Sequence, residues 1–170
     1  AAMILDGMKV TISAKVPNAI IADTEVLKDA PMEMIQAGYG DIVGKYSALN
    51  DWRLSQIVNN EYFCQEIYDL TFKMVYKTLD LADGLVRRDE KSVQVLMEAL
   101  VVVGIAMSFA GSSRPASGTE HQFSHCWDME DLCFEGKHVS HGFKVGIGTL
   151  ASTASLEFLL KQDIENLDVE

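Results

Sequence analysis

Between Pro31 and Pro115 the chain contains no proline. Proline removes a backbone donor and clashes with the preceding turn, so this long interval leaves room for a succession of helices. The apolar residues inside it keep helical time. Phe63, Ile67, Leu70 and Met74 recur at steps of four, three and four, which puts them on one helix face. Pro31 suits a first helical turn, where a missing N–H costs nothing. Residues 80–89 read as a break and 92–110 as a further helix. The apolar run at 100–110 is roughly half of the ~20 residues that a bilayer span needs, so it reads as a buried core helix with no membrane insertion. Ser117 and Glu120 match a capping box, with Ser117 as N-cap of a helix running to about residue 132. A turn at Gly136 precedes the last helix, expected over about residues 141–161.

Only the start of the chain departs from this pattern. Val10, Ile12, Ala14 and Val16 alternate with Lys9, Thr11, Ser13 and Lys15, the period of a half-buried strand. Pro17-Asn18 ends it, and residues 19–22 read as a second short strand. The expected fold is mainly α, with a short β-hairpin or strand pair at the N-terminus. A chain of 170 residues, 48% of them apolar, is long enough to bury one core unaided.

Charge and motifs narrow the function. The net charge of −11 argues against nucleic acid and against anionic membrane surfaces. Cys64, Cys126 and Cys133 are odd in number and form no CxxC, so neither a disulfide framework nor a thiolate zinc site is expected. Cys126 and Cys133 read as small buried side chains in a reducing, cytoplasmic protein. No Gly-x-Gly-x-x-Gly follows a strand, and neither a P-loop nor a Gly-x-Ser-x-Gly occurs.

All four histidines, His121, His125, His138 and His141, fall within one short stretch. His121 and His125 stand four apart on an expected helix and so share a face. That spacing suits two ligands of one metal, or one ligand and one proton-handling group; it equally suits two ordinary surface or core histidines. In a first turn the helix dipole disfavours an imidazolium, which keeps His121 fit to ligate. A carboxylate to complete such a site is offered by Asp41. It lies among Gly38, Gly40 and Gly44, each costing a helix about 1 kcal/mol relative to alanine. Either another group approaches closely there, or the glycines mark a loop or helix break. Gly142, Gly146 and Gly148 suggest tight helix packing. Arg114 and Lys144 are candidate anion-binding cations.

Two segments carry a resemblance: Gly111-Ser-Ser-Arg-Pro-Ala-Ser-Gly-Thr-Glu-His-Gln-Phe-Ser-His125 and His141-Gly-Phe-Lys-Val-Gly-Ile-Gly148. With Pro17-Asn-Ala-Ile-Ile-Ala-Asp23 and Ala37-Gly-Tyr-Gly-Asp41, the chain resembles the glycerol-1-phosphate dehydrogenases over about residues 8–160. They are a branch of the glycerol dehydrogenase and iron-containing alcohol dehydrogenase superfamily. The resemblance implies the C-terminal helical domain of the dehydroquinate synthase/glycerol dehydrogenase-like fold. It implies Asp41, His121 and His141 as ligands of one divalent metal, zinc before nickel or iron. It implies His125 as a catalytic residue lining the site, and Arg114 or Lys144 on the phosphate of a small phosphorylated polyol. It further implies a cytoplasmic homo-oligomer using NAD(P), bound by an N-terminal half that this sequence lacks. Residues 1–22 are then expected to be a β remnant of that half and 23–170 the helical metal-binding domain, inactive alone. The competing readings are a glycerol dehydrogenase-like domain and a non-catalytic helical module for metal binding or association. The dehydroquinate synthase branch fits less well, since it typically has glutamate where Asp41 stands.

Overall fold

The structure is a computed structural model describing residues 2–12 and 14–162. Strands β1 (Ala2–Leu5) and β2 (Met8–Thr11) form an antiparallel hairpin. Its turn is Asp6-Gly7, both at positive φ, the backbone that a two-residue hairpin loop demands. This corrects the expected strand over 8–16: β2 ends at Thr11, and residues 19–22 form no strand. The described residues from 14 to 22 are exposed and take no strand conformation.

Among the described residues seven helices follow: α1 (Thr24–Leu27), α2 (Met32–Asn59), α3 (Gln65–Thr78), α4 (Ala82–Val86), α5 (Glu90–Ala110), α6 (Thr119–Met129) and α7 (His141–Leu160). At 1.5 Å per residue α2 is about 42 Å long, and it packs on α3, α5, α6 and α7. Its C-terminus is closed by Asn60 in the left-handed conformation. Asp89 caps α5 by accepting from the backbone N–H of Ser92 at 2.9 Å, and Gly111 ends that helix at positive φ. The main core lies between α2, α3 and α5, with Ile42, Met74, Leu96, Ala99 and Val103 buried together. A second cluster holds Trp52 against Leu49, Ile67 and Ala106, and the indole N–H donates to the Tyr62 carbonyl at 2.8 Å.

The glycines around Asp41 do not break α2. They let α7 cross it at backbone contact. A Cβ on Gly142 would sit 1.9 Å from the Ala37 carbonyl oxygen, and one on Gly40 would sit 2.4 Å from the Gly142 carbonyl oxygen. No side-chain rotamer relieves such a clash, so the crossing requires glycine on both helices.

The expected capping box is displaced by one residue. Gly118, not Ser117, is the N-cap of α6. Glu120 Oε1 accepts from the Gly118 N–H at 2.8 Å, and Asp51 of α2 accepts from the Thr119 N–H at 2.6 Å. A second hairpin, β3 (Cys133–Phe134) with β4 (Lys137–His138), joins α6 to α7. Cys126 and Cys133 are exposed rather than buried. Helices α5 and α7 are both long and apolar enough to cross a membrane by length and composition, so the short apolar run at 100–110 understates α5. Each packs one face into the core, through Leu96, Ala99 and Val103 on α5 and Val145 on α7.

Candidate metal centre

Three helices converge on one point. Asp41 comes from the middle of α2, His121 from the first turn of α6, and His141 from the first residue of α7. One donor atom from each lies within 4.8 Å of the other two. Asp41 Oδ1 stands 3.6 Å from His121 Nε2 and 3.8 Å from His141 Nε2. The glycine crossing sets this geometry, because Gly40 and Gly142 each adjoin a candidate ligand in the chain. His125 follows one turn after His121, with ring centroids 6.0 Å apart.

Each donor is held from behind. Asp41 Oδ2 accepts from Lys45 Nζ at 2.7 Å, leaving Oδ1 toward the histidines. Lys45 is almost wholly buried, and it was readable in the sequence only as the i+4 partner of Asp41. His141 Nδ1 stands 3.1 Å from Ser124 Oγ. His121 Nδ1 lies 2.7 Å from Oε1 of Glu120, a fully buried carboxylate. A carboxylate behind a ligating imidazole fixes the ring and its tautomer and raises its basicity. Burial pushes Glu120 up, but its hydrogen bonds to His121 and Gly118 outweigh that and hold it below the usual carboxylate range. Its second oxygen, Oε2, is buried with no hydrogen-bond partner. One carboxylate and two imidazoles with donor atoms this close together make a set that fits a divalent metal. Glu120→Gln keeps the shape and removes the charge behind His121; it is expected to weaken zinc binding about 10- to 100-fold in competitive titration.

The three donors open onto a cleft of about 420 Å³. Its far wall is α5, through Leu100, Val103 and Met107; Lys9, Lys45 and His125 add the polar lining. Lys9, on β2, is depressed by burial, which its pairing with Asp128 only partly offsets. Nothing in the alternating strand pattern marked it for a site. Neither Arg114 nor Lys144 enters the cleft. The Arg114 guanidinium grips Glu61 at 2.7 and 2.6 Å in a neighbouring groove, and this pairing holds the Glu61 carboxyl low. Lys144 is buried and paired with Asp128, which in turn stands 3.8 Å from Lys9.

The cleft favours neutral imidazole. Burial lowers His125 to about 4, with Lys9, His121 and His141 adding repulsion. Burial and the neighbouring His121 lower His141 as well. In the window from pH 6.5 down to about 4, the unfolded chain binds a proton that folded His125 refuses. Stability is therefore expected to fall as pH drops through that window and to lose nothing further to His125 below it. Urea unfolding midpoints across the range check this, and His125→Gln should flatten the slope.

No family model matches the chain. It is 44% identical over 149 residues to the glycerol-1-phosphate dehydrogenase [NAD(P)+] of Geobacillus thermodenitrificans, covering 88% of this chain and 37% of that protein. It is 37% identical over all 170 residues to the enzyme of that name from Halalkalibacterium halodurans, covering 43% of it. The Methanosarcina mazei enzyme of that name is 41% identical over 150 residues, 88% of this chain and 41% of its own length. Over most or all of its length the chain is thus similar to glycerol-1-phosphate dehydrogenases, and it spans about two fifths of the length of the relatives it matches.

Proposed function

We propose that Asp41, His121 and His141 hold one divalent metal ion, and that the chain is the metal-binding part of an NAD(P)-dependent enzyme interconverting glycerol-1-phosphate and dihydroxyacetone phosphate. The observation that carries the reading is the convergence of the three donors from three helices. One carboxylate and two imidazoles suit zinc first, and nickel or iron as well. Three protein ligands are the number that catalytic sites use when one position is kept for substrate. A bound ion supplies Lewis acidity toward the substrate oxygen as hydride leaves or arrives at the carbon.

This chain's own residues bind and orient. Glu120, Ser124 and Lys45 fix the donors, and His125 accepts a hydrogen bond from the substrate hydroxyl in its neutral form. Lys9 and Lys45 are the cleft's ammonium groups, so they meet an anionic substrate against the chain's overall negative charge. Arg114 and Lys144 remain candidates only at one remove, since neither lines the cleft as Lys9 and Lys45 do. Residues 1–22 belong, on this reading, with the NAD(P)-binding half, and 23–170 form the metal-binding domain. The setting is the cytoplasm, and copies of the full-length enzyme associate.

The test is a chimera in which this chain replaces the matching segment of the Geobacillus thermodenitrificans relative. NAD(P)H oxidation is expected with dihydroxyacetone phosphate, and its loss in His121→Ala. Preference for unphosphorylated dihydroxyacetone would point to the glycerol dehydrogenase reading. A folded, inactive chimera that holds no metal would leave the association module.

A further inference from the structure

The outer hairpin between α6 and α7 gathers a second donor set, away from the cleft. Asp131, Cys133 and His138 each offer an atom within 4.8 Å of the other two. Cys133 and His138 are directly paired across β3 and β4, so their side chains share one face of the ribbon. The register is pinned by Glu135-Gly136, both at positive φ, as a two-residue turn requires. Asp131 enters the hairpin at φ 55°, which turns the chain between α6 and β3.

One nitrogen faces both other donors. His138 Nδ1 lies 3.6 Å from Cys133 Sγ and 3.0 Å from Asp131 Oδ1. With Zn–S of about 2.3 Å and Zn–N and Zn–O of about 2.05 Å, tetrahedral zinc has a sulfur–nitrogen edge of about 3.6 Å and a nitrogen–oxygen edge of about 3.3 Å. The first distance already matches. The second is shorter by the amount expected of a hydrogen bond that metal would replace. A thiolate and a carboxylate together neutralise a divalent ion, and the imidazole adds no charge. Without metal, the His138–Asp131 contact is an exposed polar pair worth little, its two side chains each 77% accessible, so few interactions are given up on binding.

We propose that Asp131, Cys133 and His138 form a second, thiolate-containing site for a zinc-like divalent cation, with water completing the shell. The absence of a CxxC hid it, because strand pairing rather than helix spacing brings the donors together. Its place in the fold gives it a structural task. It ties the connection between α6, which carries His121 and His125, and α7, which carries His141.

The test titrates cobalt(II) into the reduced, chelator-stripped chain. A near-ultraviolet thiolate-to-cobalt charge-transfer band is expected, since Asp41, His121 and His141 contribute no sulfur. Cys133→Ser should abolish the band while leaving the other cobalt equivalent and the circular dichroism unchanged. His138→Ala should weaken the banded site at least about tenfold, and Cys126→Ser should leave it intact. Absence of the band in the wild type, or its survival in Cys133→Ser, overturns the proposal.

Discussion

Gly142→Ala is expected to destabilise the fold by about 3 kcal/mol or more and to weaken metal binding with it. Overpacking usually costs about 1–3 kcal/mol because side chains can turn aside. Here they cannot. The new methyl would meet the Ala37 carbonyl oxygen at 1.9 Å and its carbon at 2.5 Å, both backbone atoms within a continuous helix. Helix α7 has to move away from α2, and His141 moves away from Asp41 with it. At roughly 2–4 °C per kcal/mol for a chain of this size, the melting midpoint should drop by about 6–12 °C. Gly104→Ala is the control. That glycine lies inside α5, and a Cβ there meets nothing within 4 Å. It should be neutral or stabilising by about 0.5–1 kcal/mol, through the better helix propensity of alanine. Equal midpoints for the two variants would remove the crossing from its central place.

Removing a proposed ligand should have the second large effect, on metal binding first and on folding as well. Asp41→Ala takes away the carboxylate and leaves Lys45, almost fully buried, without its partner. Loss of an outer hydrogen-bond partner commonly weakens metal binding about 10- to 100-fold, so loss of a ligand should exceed about 100-fold. Asp41→Asn separates the two roles. It keeps the side-chain shape and an oxygen but removes the charge that pairs with Lys45. Its zinc affinity should fall nearly as far as that of the alanine variant, while its thermal midpoint stays closer to wild type. Isothermal titration with zinc, paired with melting curves, checks both.

The helices were largely legible in advance, from the proline-free interval, from the one-sided spacing on α3 and from the apolar length of α5. Phe63, Ile67, Leu70 and Met74 sit on α3 as their spacing requires, and α7 begins at His141. What escaped was chiefly short or contributed by distant residues. Asp6-Gly7 is a strong hairpin signal, yet the longer alternation after it drew the strand too far toward residue 16. Ser117 matched a capping pattern, but Asp51 from α2 supplies the competing cap, and no local rule sees a residue so far away in sequence. The glycines around Asp41 permitted either a break or a close approach; only the position of Gly142 decides between them.

The site divides in the same way. Asp41, His121, His125 and His141 all reach one cleft. Arg114 and Lys144 do not, because which cleft a cation reaches is decided by tertiary packing. Lys9 and Lys45 were passed over for the same reason. Each occupies an unremarkable place in its own element and gains meaning from what packs against it.

The most direct test is equilibrium dialysis against zinc in a Cys133→Ser background, which removes the hairpin thiolate. One equivalent should be retained by that chain and lost in Asp41→Ala, His121→Ala and His141→Ala, each still helical by circular dichroism. Zinc retained undiminished by all three variants, or none bound by the parent, would contradict a metal centre at the meeting of α2, α6 and α7.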